Sequence, residues 1–339
     1  MRIQALFPIE NFEFLGKNSL AINLNCHFLK DTSPFYDPFN HKMVFEGIGG
    51  IETRKMIMLQ SLYCILLTEE FGPQIKAQND KQILDAVAAQ MSYIANCLWF
   101  VKDNSCYCPT GIYINGDHER VAVGRRNIFA TNSHGVFEFT QFSEDEVLEA
   151  ISYFNLLASS FSKVYKEVGA DIPANDFDYS IGALNYAATG FNRIERAYNI
   201  LTMSRASPNL MQKVSFYVAV LEALFKSKSN GSKYDATWRP GIFLGGTEDE
   251  IKANLDILEN AYLIRCSYFH GDDLPVMFRN RATLQKASLE IDSLMRIIFR
   301  KVLTDQPPFK ETNDPFDTWI APLEAAHRAL REKLYPKKK

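Results

Sequence analysis

Hydrophobic residues recur at helical spacing along most of the chain, starting near Glu52. Apolar positions three and four residues apart predict helices over Thr53–Phe71 and Asp80–Lys102, and Gly72 and Pro73 end the first of them. The first 50 residues instead mix short alternating stretches with turn formers. This pattern predicts strands joined by irregular segments.

A stretch rich in glycine, asparagine and aromatic residues follows over residues 105–142. Within it, Ile112–Ile114 precedes the turn pair Asn115 and Gly116, and Val136–Phe139 alternates in the same way. Both patterns are typical of short strands separated by turns. Residues 1–170 are therefore predicted to form a mixed α/β domain.

The remainder of the chain is predicted to be helical. Ser143–Glu146 and Thr247–Glu250 each have the form of a capping box, with a hydroxyl at the N-cap and a carboxylate three residues later. Apolar periodicity predicts helices over Ser143–Lys166, Asp176–Ser204, Asn209–Ser227, Thr247–His270, Arg281–Leu303 and Thr318–Tyr335. The segment Ser227–Gly246 is predicted to be a loop. Residues 171–339 then form an all-α bundle, and the fold class is α+β, mostly helical.

The composition is that of a globular protein and excludes several classes. Of the 339 residues, 47% are hydrophobic and 23% are charged, which rules out a disordered chain or a fibre. The apolar run Met56–Leu67 is interrupted at Gln60 and Ser61, and it is shorter than the ~20 residues that cross a bilayer. The first residues lack the apolar core of a secretory signal. We therefore expect a cytoplasmic protein without a membrane partner.

The charge balance and the cysteines limit the possible sites further. Lysine plus arginine number 37 against 40 acidic residues, so any nucleic-acid contact is local or made by an oligomer that pools its positive charge. The six cysteines lack the spacing of a disulfide framework and are expected to be reduced thiols. Cys106 and Cys108 lack a second Cys or His pair at zinc-site spacing. The sequence therefore predicts neither a metal nor a cofactor.

One predicted helix carries an arginine where its pattern predicts an apolar residue. Steps of three and four residues place Arg265 on the same stripe as the apolar residues before it, Ile251, Leu255, Leu258 and Tyr262. A guanidinium stays charged, so a buried one must be paired or line a cleft. The alternatives are a structural Arg–Glu pair in the bundle core and a side chain that extends to solvent.

His270 follows in the last turn of the same helix, directly before Gly271. Glycine suits the left-handed position after a helix, and the negative end of the helix dipole favours protonated histidine. Residues five apart differ by about 140° in azimuth, so Arg265 and His270 do not share a face. They converge only if the helix loosens at its end or if a second subunit supplies the complementary pair.

These residues carry a resemblance to a known superfamily. Tyr262–Gly271 contains an R-x4-H motif and resembles the signature helix of the HEPN superfamily, in its ApeA-like branch. Phe216–Phe225 is similar to the preceding helix of that family, in which a LEALF-type stretch carries a glutamate, here Glu222. The order of the elements agrees as well. The resemblance covers residues 185–305.

The resemblance implies a metal-independent endoribonuclease that is active as a homodimer and cleaves RNA by attack of the 2′-OH. A toxin or anti-phage defence role is implied with it, as is a partner that acts as antitoxin or trigger. His270 would be the general acid/base, Arg265 the phosphate and transition-state binder, and Glu222 the residue that orients Arg265. Cys266 departs from the family pattern, which often has a polar side chain there. It would be a weak polar partner of His270 or a small buried residue.

Two further sets of residues and two other functions stay open. Arg193, Arg196 and Tyr262 are candidate substrate contacts. Arg193 and Arg196, with Tyr198, would form either a basic and aromatic surface patch or a solvated helix surface. A non-catalytic module that binds RNA, nucleotides or a protein would use the same bundle, with Arg265 as a structural partner of a glutamate. A cysteine-dependent enzyme would use Cys106 or Cys108.

Overall fold

The computed structural model describes residues 2–23, 26–30, 46, 49–67, 80–115, 120–125, 128–161, 192–227, 231–310 and 313–336. The chain forms two compact units. The first holds the described residues up to 130 together with 137–155, and the second holds 131–136, 156–161 and everything described from 192 onward. The described residues are mostly helical with a small sheet near the N-terminus, which confirms the α+β class. The domain boundary predicted near residue 170 lies outside the described residues.

The sheet lies in the first unit. The strands of the chain are β1 (Arg2–Pro8), β2 (Phe12–Phe14), β3 (Ser19–Asn23), β4 (Cys26–Leu29), β5 (Ser61–Leu67), β6 (Thr110–Asn115), β7 (Arg120–Arg125) and β8 (Thr140–Phe142). Six of them form an antiparallel sheet in the order β3-β4-β5-β1-β6-β7. β2 and β8 pair separately and in parallel. The strand predicted over Ile112–Ile114 is confirmed as part of β6.

Three helices belong to this part of the chain, α1 (Gly50–Met58), α2 (Asp80–Val101) and α3 (Glu144–Ser160). α2 packs against β1, β6 and β7 through a buried stripe at helical spacing: Leu84, Val87, Met91, Ile94 and Leu98. Gly111 and Gly124 are opposite each other in β6 and β7. A Cβ at Gly111 would collide with Phe7, and one at Gly124 would make a tight contact of 3.1 Å with Leu84. These two glycines therefore let α2 approach the sheet closely.

Two predictions for this half are wrong. The helix predicted over Thr53–Phe71 is the short helix α1 followed by strand β5, because the apolar run from Ser61 pairs on both sides, with β4 and β1. β1 pairs with the whole of this run and β4 with its first four residues, so strand pairing rather than helix formation satisfies most of its backbone groups. The strand predicted over Val136–Phe139 is not one. Its side chains are exposed, and the nearby strand is β8 instead.

The second unit is helical. Its helices after α3 are α4 (Arg193–Ala206), α5 (Leu210–Phe225), α6 (Ser232–Leu244), α7 (Glu248–His270), α8 (Arg281–Thr304), α9 (Gln306–Lys310), α10 (Asn313–Ala326) and α11 (Arg328–Leu334). α5 is the central helix and packs against α4, α6, α7 and α8. Its sequence is apolar on most faces, as is typical of a buried helix. The Glu222 side chain is therefore held at the boundary between this core and solvent.

Several helix boundaries differ from prediction. Ser227–Gly246 is not a loop, because α6 occupies most of it despite Pro240 within the helix. The buried ion pair of Asp235 and Arg239, one turn apart in α6, makes this helix look polar in sequence. The segment Thr318–Tyr335 belongs to two helices, α10 and α11, rather than one. The first part of the helix predicted over Asp176–Ser204 lies outside the described residues, which show it from Arg193 onward.

Candidate functional site

Both ends of α7 are fixed by local bonds. The capping box predicted at Thr247 and Glu250 is confirmed. The hydroxyl of Thr247 accepts a hydrogen bond from the N–H of Glu250, and the Glu250 carboxylate accepts one from the N–H of Thr247. At the other end Gly271 has a φ of 75°, in the left-handed region. The N–H groups of Gly271 and Asp272 both donate to the carbonyl of Ser267. α7 therefore keeps helical geometry through His270.

Arg265 lies at the edge of the core rather than inside it. The buried face of α7 runs through Leu258 and then continues in steps of three, over Ala261, Ile264 and Ser267. These steps turn the face away from Arg265, whose side chain is 22% exposed. The guanidinium of Arg265 is therefore half-buried. It still needs a partner or a cleft, as predicted for a buried guanidinium.

The partner of Arg265 is Glu222 on the central helix α5. Nη2 of Arg265 is 3.3 Å from Oε1 and 3.4 Å from Oε2 of Glu222, whose side chain is 20% exposed. Within the described residues, Nη2 is the one guanidinium nitrogen of Arg265 with a hydrogen bond, and its Nε has none. The structure thus brings together two residues that the sequence analysis singled out, while most donors of Arg265 are not engaged in the described part of the chain.

Aromatic rings surround the guanidinium. Its central carbon is 5.2 Å from the ring centre of Phe269 and 5.8 Å from that of Tyr262, within cation–π range. Burial raises the pKa of the Tyr262 phenol, the neighbouring Cys266 thiol adds to the rise, and Arg265 opposes it. Cys266 is half-buried and reduced. Tyr262 and Cys266 are therefore neighbours of Arg265, in agreement with their position in the motif.

His270 is exposed at the end of α7. Because the helix does not loosen before Gly271, the azimuth of about 140° between residues five apart applies to Arg265 and His270. The two side chains of one chain therefore leave α7 on different sides. The first condition for convergence, a loosened helix end, is therefore not met, and the second, a complementary pair from another subunit, stays a prediction.

A groove of about 630 Å³ lies beside Glu222, between α4 and α5. Three cationic side chains line this α4–α5 groove, Arg193, Arg196 and Lys226, together with the carboxylate of Glu222. Two of the residues proposed as substrate contacts, Arg193 and Arg196, therefore share one groove with Glu222. Lys226, which follows α5 directly, was not singled out in the sequence because a lysine at a helix end is common.

The pair of Arg193 and Tyr198 is not part of a solvated surface, contrary to one alternative. Tyr198 is buried, which also excludes it from a basic and aromatic surface patch. Arg193 is buried as well: its Nη1 donates to the carbonyl of Leu224 at 3.0 Å, and its guanidinium stacks 4.0 Å from the ring centre of Phe316. Burial, with the nearby charge of Arg196, lowers the pKa of Arg193 to about 10. Arg193 therefore stays charged at neutral pH.

A second charged cluster lies in the same unit and was missed in the sequence. Arg239 is buried and donates to Glu324 at 2.7 Å and to the carbonyl of Phe225 at 2.9 Å, and it lies 3.0 Å from Asp235. Burial raises the pKa of Asp235 to about 6, although Arg239 opposes the rise. The one sequence signal was the spacing of four between Asp235 and Arg239 on what proved to be a helix.

Nothing in the described residues favours a reactive cysteine or a metal site. Cys106 and Cys108 are buried, and burial raises the pKa of the Cys108 thiol far above its usual range. A nucleophilic cysteine needs the opposite shift. Among the residues that the structure describes, no group of three or more His, Cys, Asp or Glu side chains is arranged to hold a metal ion.

Comparison with known proteins adds no relative: no family model, no curated protein and no solved structure matches this chain. Over the described ranges, no helix combines the length and apolar character that are needed to cross a bilayer. The site in the second unit therefore has to be interpreted from its own geometry. Its components are the Arg265–Glu222 pair, the exposed His270 and the α4–α5 groove.

Proposed function

We propose that this protein is an HEPN-type endoribonuclease that cleaves RNA without a metal. The observation that carries the proposal is the state of Arg265. Its guanidinium is held by Glu222 and two aromatic rings, yet it keeps contact with water and leaves donors unengaged among the described residues. A buried donor without a hydrogen bond, such as Nε of Arg265, costs on the order of 1–3 kcal/mol. Stability is therefore a weak reason to place an arginine here, and anion binding is a stronger one.

The chemistry needs a proton carrier and a cation at the scissile phosphate. His270 accepts the proton of the ribose 2′-OH, and the 2′-oxygen attacks the neighbouring phosphorus. The bond from phosphorus to the 5′-oxygen then breaks, and the imidazolium returns its proton to that oxygen. The products are a 2′,3′-cyclic phosphate and a free 5′-OH. Arg265 stabilises the negative charge of the pentacoordinate state through paired hydrogen bonds.

Two copies of the chain are needed for this arrangement. Arg265 and His270 of one chain point to different sides of α7, so the phosphate is proposed to lie between Arg265 of one copy and His270 of the other. Large apolar side chains that are exposed beside the motif support such a pairing: Phe269, Val276 and Met277. Val276 is the most exposed of them, at 78%.

A non-catalytic module is the second candidate, and one observation favours it. Within the described residues, the hydrogen-bond partner of Arg265 is Glu222 alone, as a purely structural pair would require. In that function the bundle binds RNA, a nucleotide or a protein without cutting. The two candidates differ in what they predict for His270, which has no part in a structural Arg–Glu pair.

The biological role proposed with the nuclease is that of a toxin or defence protein. Its first unit would sense a trigger or restrain the activity, and an antitoxin or trigger protein would be the partner. Expression of the wild-type chain is then expected to arrest cell growth, while the His270→Ala chain does not. Equal growth with both chains would contradict the toxin role.

Single substitutions test the nuclease proposal. Purified wild type, His270→Ala, Arg265→Ala and Arg265→Lys are each incubated with end-labelled single-stranded RNA. We expect cleavage by the wild type and a loss of at least ~100-fold in both alanine variants, the scale on which positioned acid/base and charge-stabilising groups act. Arg265→Lys keeps the charge but loses the planar fork, so it recovers part of the activity.

Lys252→Ala is the matched control, because it removes an exposed cation of α7 outside the site. Melting temperatures within a few degrees of the wild type show that a loss of cleavage is not a loss of folding. Undiminished cleavage by His270→Ala or Arg265→Ala would refute the assignment. A wild type without nuclease activity would favour the binding module.

A further inference from the structure

The α4–α5 groove is lined by more cationic than anionic side chains. Its three cations face one carboxylate, Glu222, and that carboxylate is already the partner of Arg265. Arg196 and Lys226 are exposed, and neither takes part in an ion pair among the described residues. Burial lowers the pKa of Arg193, repulsion by the nearby Arg196 adds to the effect, and Asp317 and Asp235 oppose it. An anion in the groove would relieve this repulsion.

The floor of the groove is apolar. Ile200 of α4 and the small side chains of Ala219 and Ala223 of α5 lie between the charged residues. The volume of about 630 Å³ falls within the range of roughly 300–1,000 Å³ typical of small-molecule sites. Two small residues one turn apart leave room for a flat group against α5. The groove therefore combines two exposed cations, Arg196 and Lys226, with a shallow apolar surface.

The α4–α5 groove is also next to the proposed reaction centre. Glu222 contributes to both, since it lines the groove and pairs with Arg265. Arg193 contributes rigidity: with its guanidinium bonded to the Leu224 carbonyl and stacked on Phe316, it is a fixed charge at the base of the groove. Arg196 and Lys226 remain free to contact a ligand from solvent.

We propose that the α4–α5 groove binds one nucleotide of a single-stranded RNA, next to the phosphate that is cleaved. Arg196 and Lys226 hold the phosphate of this nucleotide, Arg193 supplies the fixed positive charge behind it, and the base or ribose lies against Ala219 and Ala223. The inference rests on the proposed function for its choice of RNA as the ligand. It assigns the groove as a substrate subsite outside the R-x4-H motif.

Binding without cleavage tests this subsite separately from the reaction. The probe is a fluorescein-labelled, 2′-O-methylated 12-nucleotide oligouridine, which lacks the attacking hydroxyl, and anisotropy gives the dissociation constant. We expect Arg196→Ala and Lys226→Ala each to weaken binding about fivefold or more and to lower the slope of log K against log salt by about 0.7. Arg196→Lys is expected to restore most of the affinity, and Lys252→Ala is the control of equal charge change.

Each outcome decides the inference. If Arg196→Ala and Lys226→Ala bind like Lys252→Ala, or if the wild type does not bind the oligonucleotide, the subsite is refuted. Cleavage that depends on His270 would leave the nuclease proposal intact in either case. If groove-dependent binding is found without any cleavage that depends on His270, the subsite stands and the nuclease proposal fails.

Discussion

At the scale of single residues, the position of the Arg265 guanidinium depends on Glu222. A carboxylate 3.3 Å away is the strongest restraint on a side chain that otherwise contacts two rings and solvent. The arrangement resembles the general case in which a charged neighbour orients a group that acts on substrate. Glu222 is thus a positioning residue in this account.

Glu222→Gln is expected to lower the single-turnover cleavage rate by roughly 10–100-fold, because misplacing a transition-state contact by about 1 Å has effects of that size. Binding of the 2′-O-methylated oligonucleotide is not expected to weaken, since the substitution removes a negative charge from the groove. Comparison of the two measurements separates positioning from affinity. A Glu222→Gln protein that cleaves at the wild-type rate would show that the pair is structural.

The buried cluster around Arg239 predicts a pH dependence of stability. Burial raises the pKa of Asp235 to about 6, above its usual range, so the folded protein binds this proton more tightly than the unfolded chain. The stabilisation is complete below about pH 4 and is lost as the pH rises through 6. A difference of about 2 pKa units corresponds to on the order of 3 kcal/mol at most.

Asp235→Asn removes the titrating carboxyl group. The difference in stability between the wild type and this variant therefore reports the contribution of Asp235. The free energy of unfolding of the wild type should fall relative to that of Asp235→Asn between pH 4 and pH 7. Denaturation is followed in a Trp99→Phe background, in which tryptophan emission comes from Trp238 and Trp319, both in the second unit. A constant difference between the two proteins across this pH range would contradict the raised pKa.

Some residues of the site could be predicted from the sequence and others could not. Arg265 stood out because it interrupts an apolar stripe, and Glu222 stood out by resemblance. The partial exposure of Arg265 was not predictable, because it depends on a change from steps of four to steps of three in the buried face of α7. The burial of Arg193 depends on Phe316, over one hundred positions away in the chain, and local spacing contains no information on such a contact.

At the scale of elements, the end of α7 fixes where His270 leaves the helix. Gly271 has a φ of 75°, and a Cβ added there would meet no atom within 4 Å. The cost of Gly271→Ala therefore comes from backbone strain alone. We expect about 1 kcal/mol of destabilisation, measured by denaturation in the Trp99→Phe background.

Gly271→Asn is the matched comparison, since asparagine tolerates the left-handed region better than alanine does. It is expected to lose less stability than Gly271→Ala. Equal losses of stability in the alanine and asparagine variants would show that strain in the left-handed region is not the cause.

The elements themselves were predictable where the pattern was unambiguous. α7 was predicted to within a residue because a capping box and a glycine mark its ends. β5 was mistaken for helix because a continuous apolar run fits both periods, and only its pairing with β4 and β1 decides between them. α6 was missed because a proline and a buried ion pair made a helix resemble a loop.

At the scale of the whole molecule, the proposed reaction centre requires a dimer. Val276→Glu and Met277→Glu place a charge among the exposed apolar side chains beside the motif. We expect each to shift sedimentation from dimer to monomer and to reduce cleavage in proportion. Met58→Glu is the control, because Met58 is similarly exposed on α1 in the first unit. A wild type that is monomeric while it cleaves RNA would contradict the requirement.

Mixing the two inactive variants tests the shared site most directly. Arg265→Ala and His270→Ala are combined in equal amounts, allowed to exchange subunits, and incubated with end-labelled RNA in EDTA. Half of the dimers are then mixed, and each mixed dimer retains one intact site of two, so about a quarter of the wild-type activity should return, with 2′,3′-cyclic phosphate ends. If the mixture stays as inactive as its components although sedimentation shows dimers, the site is not shared between copies and the central claim is wrong.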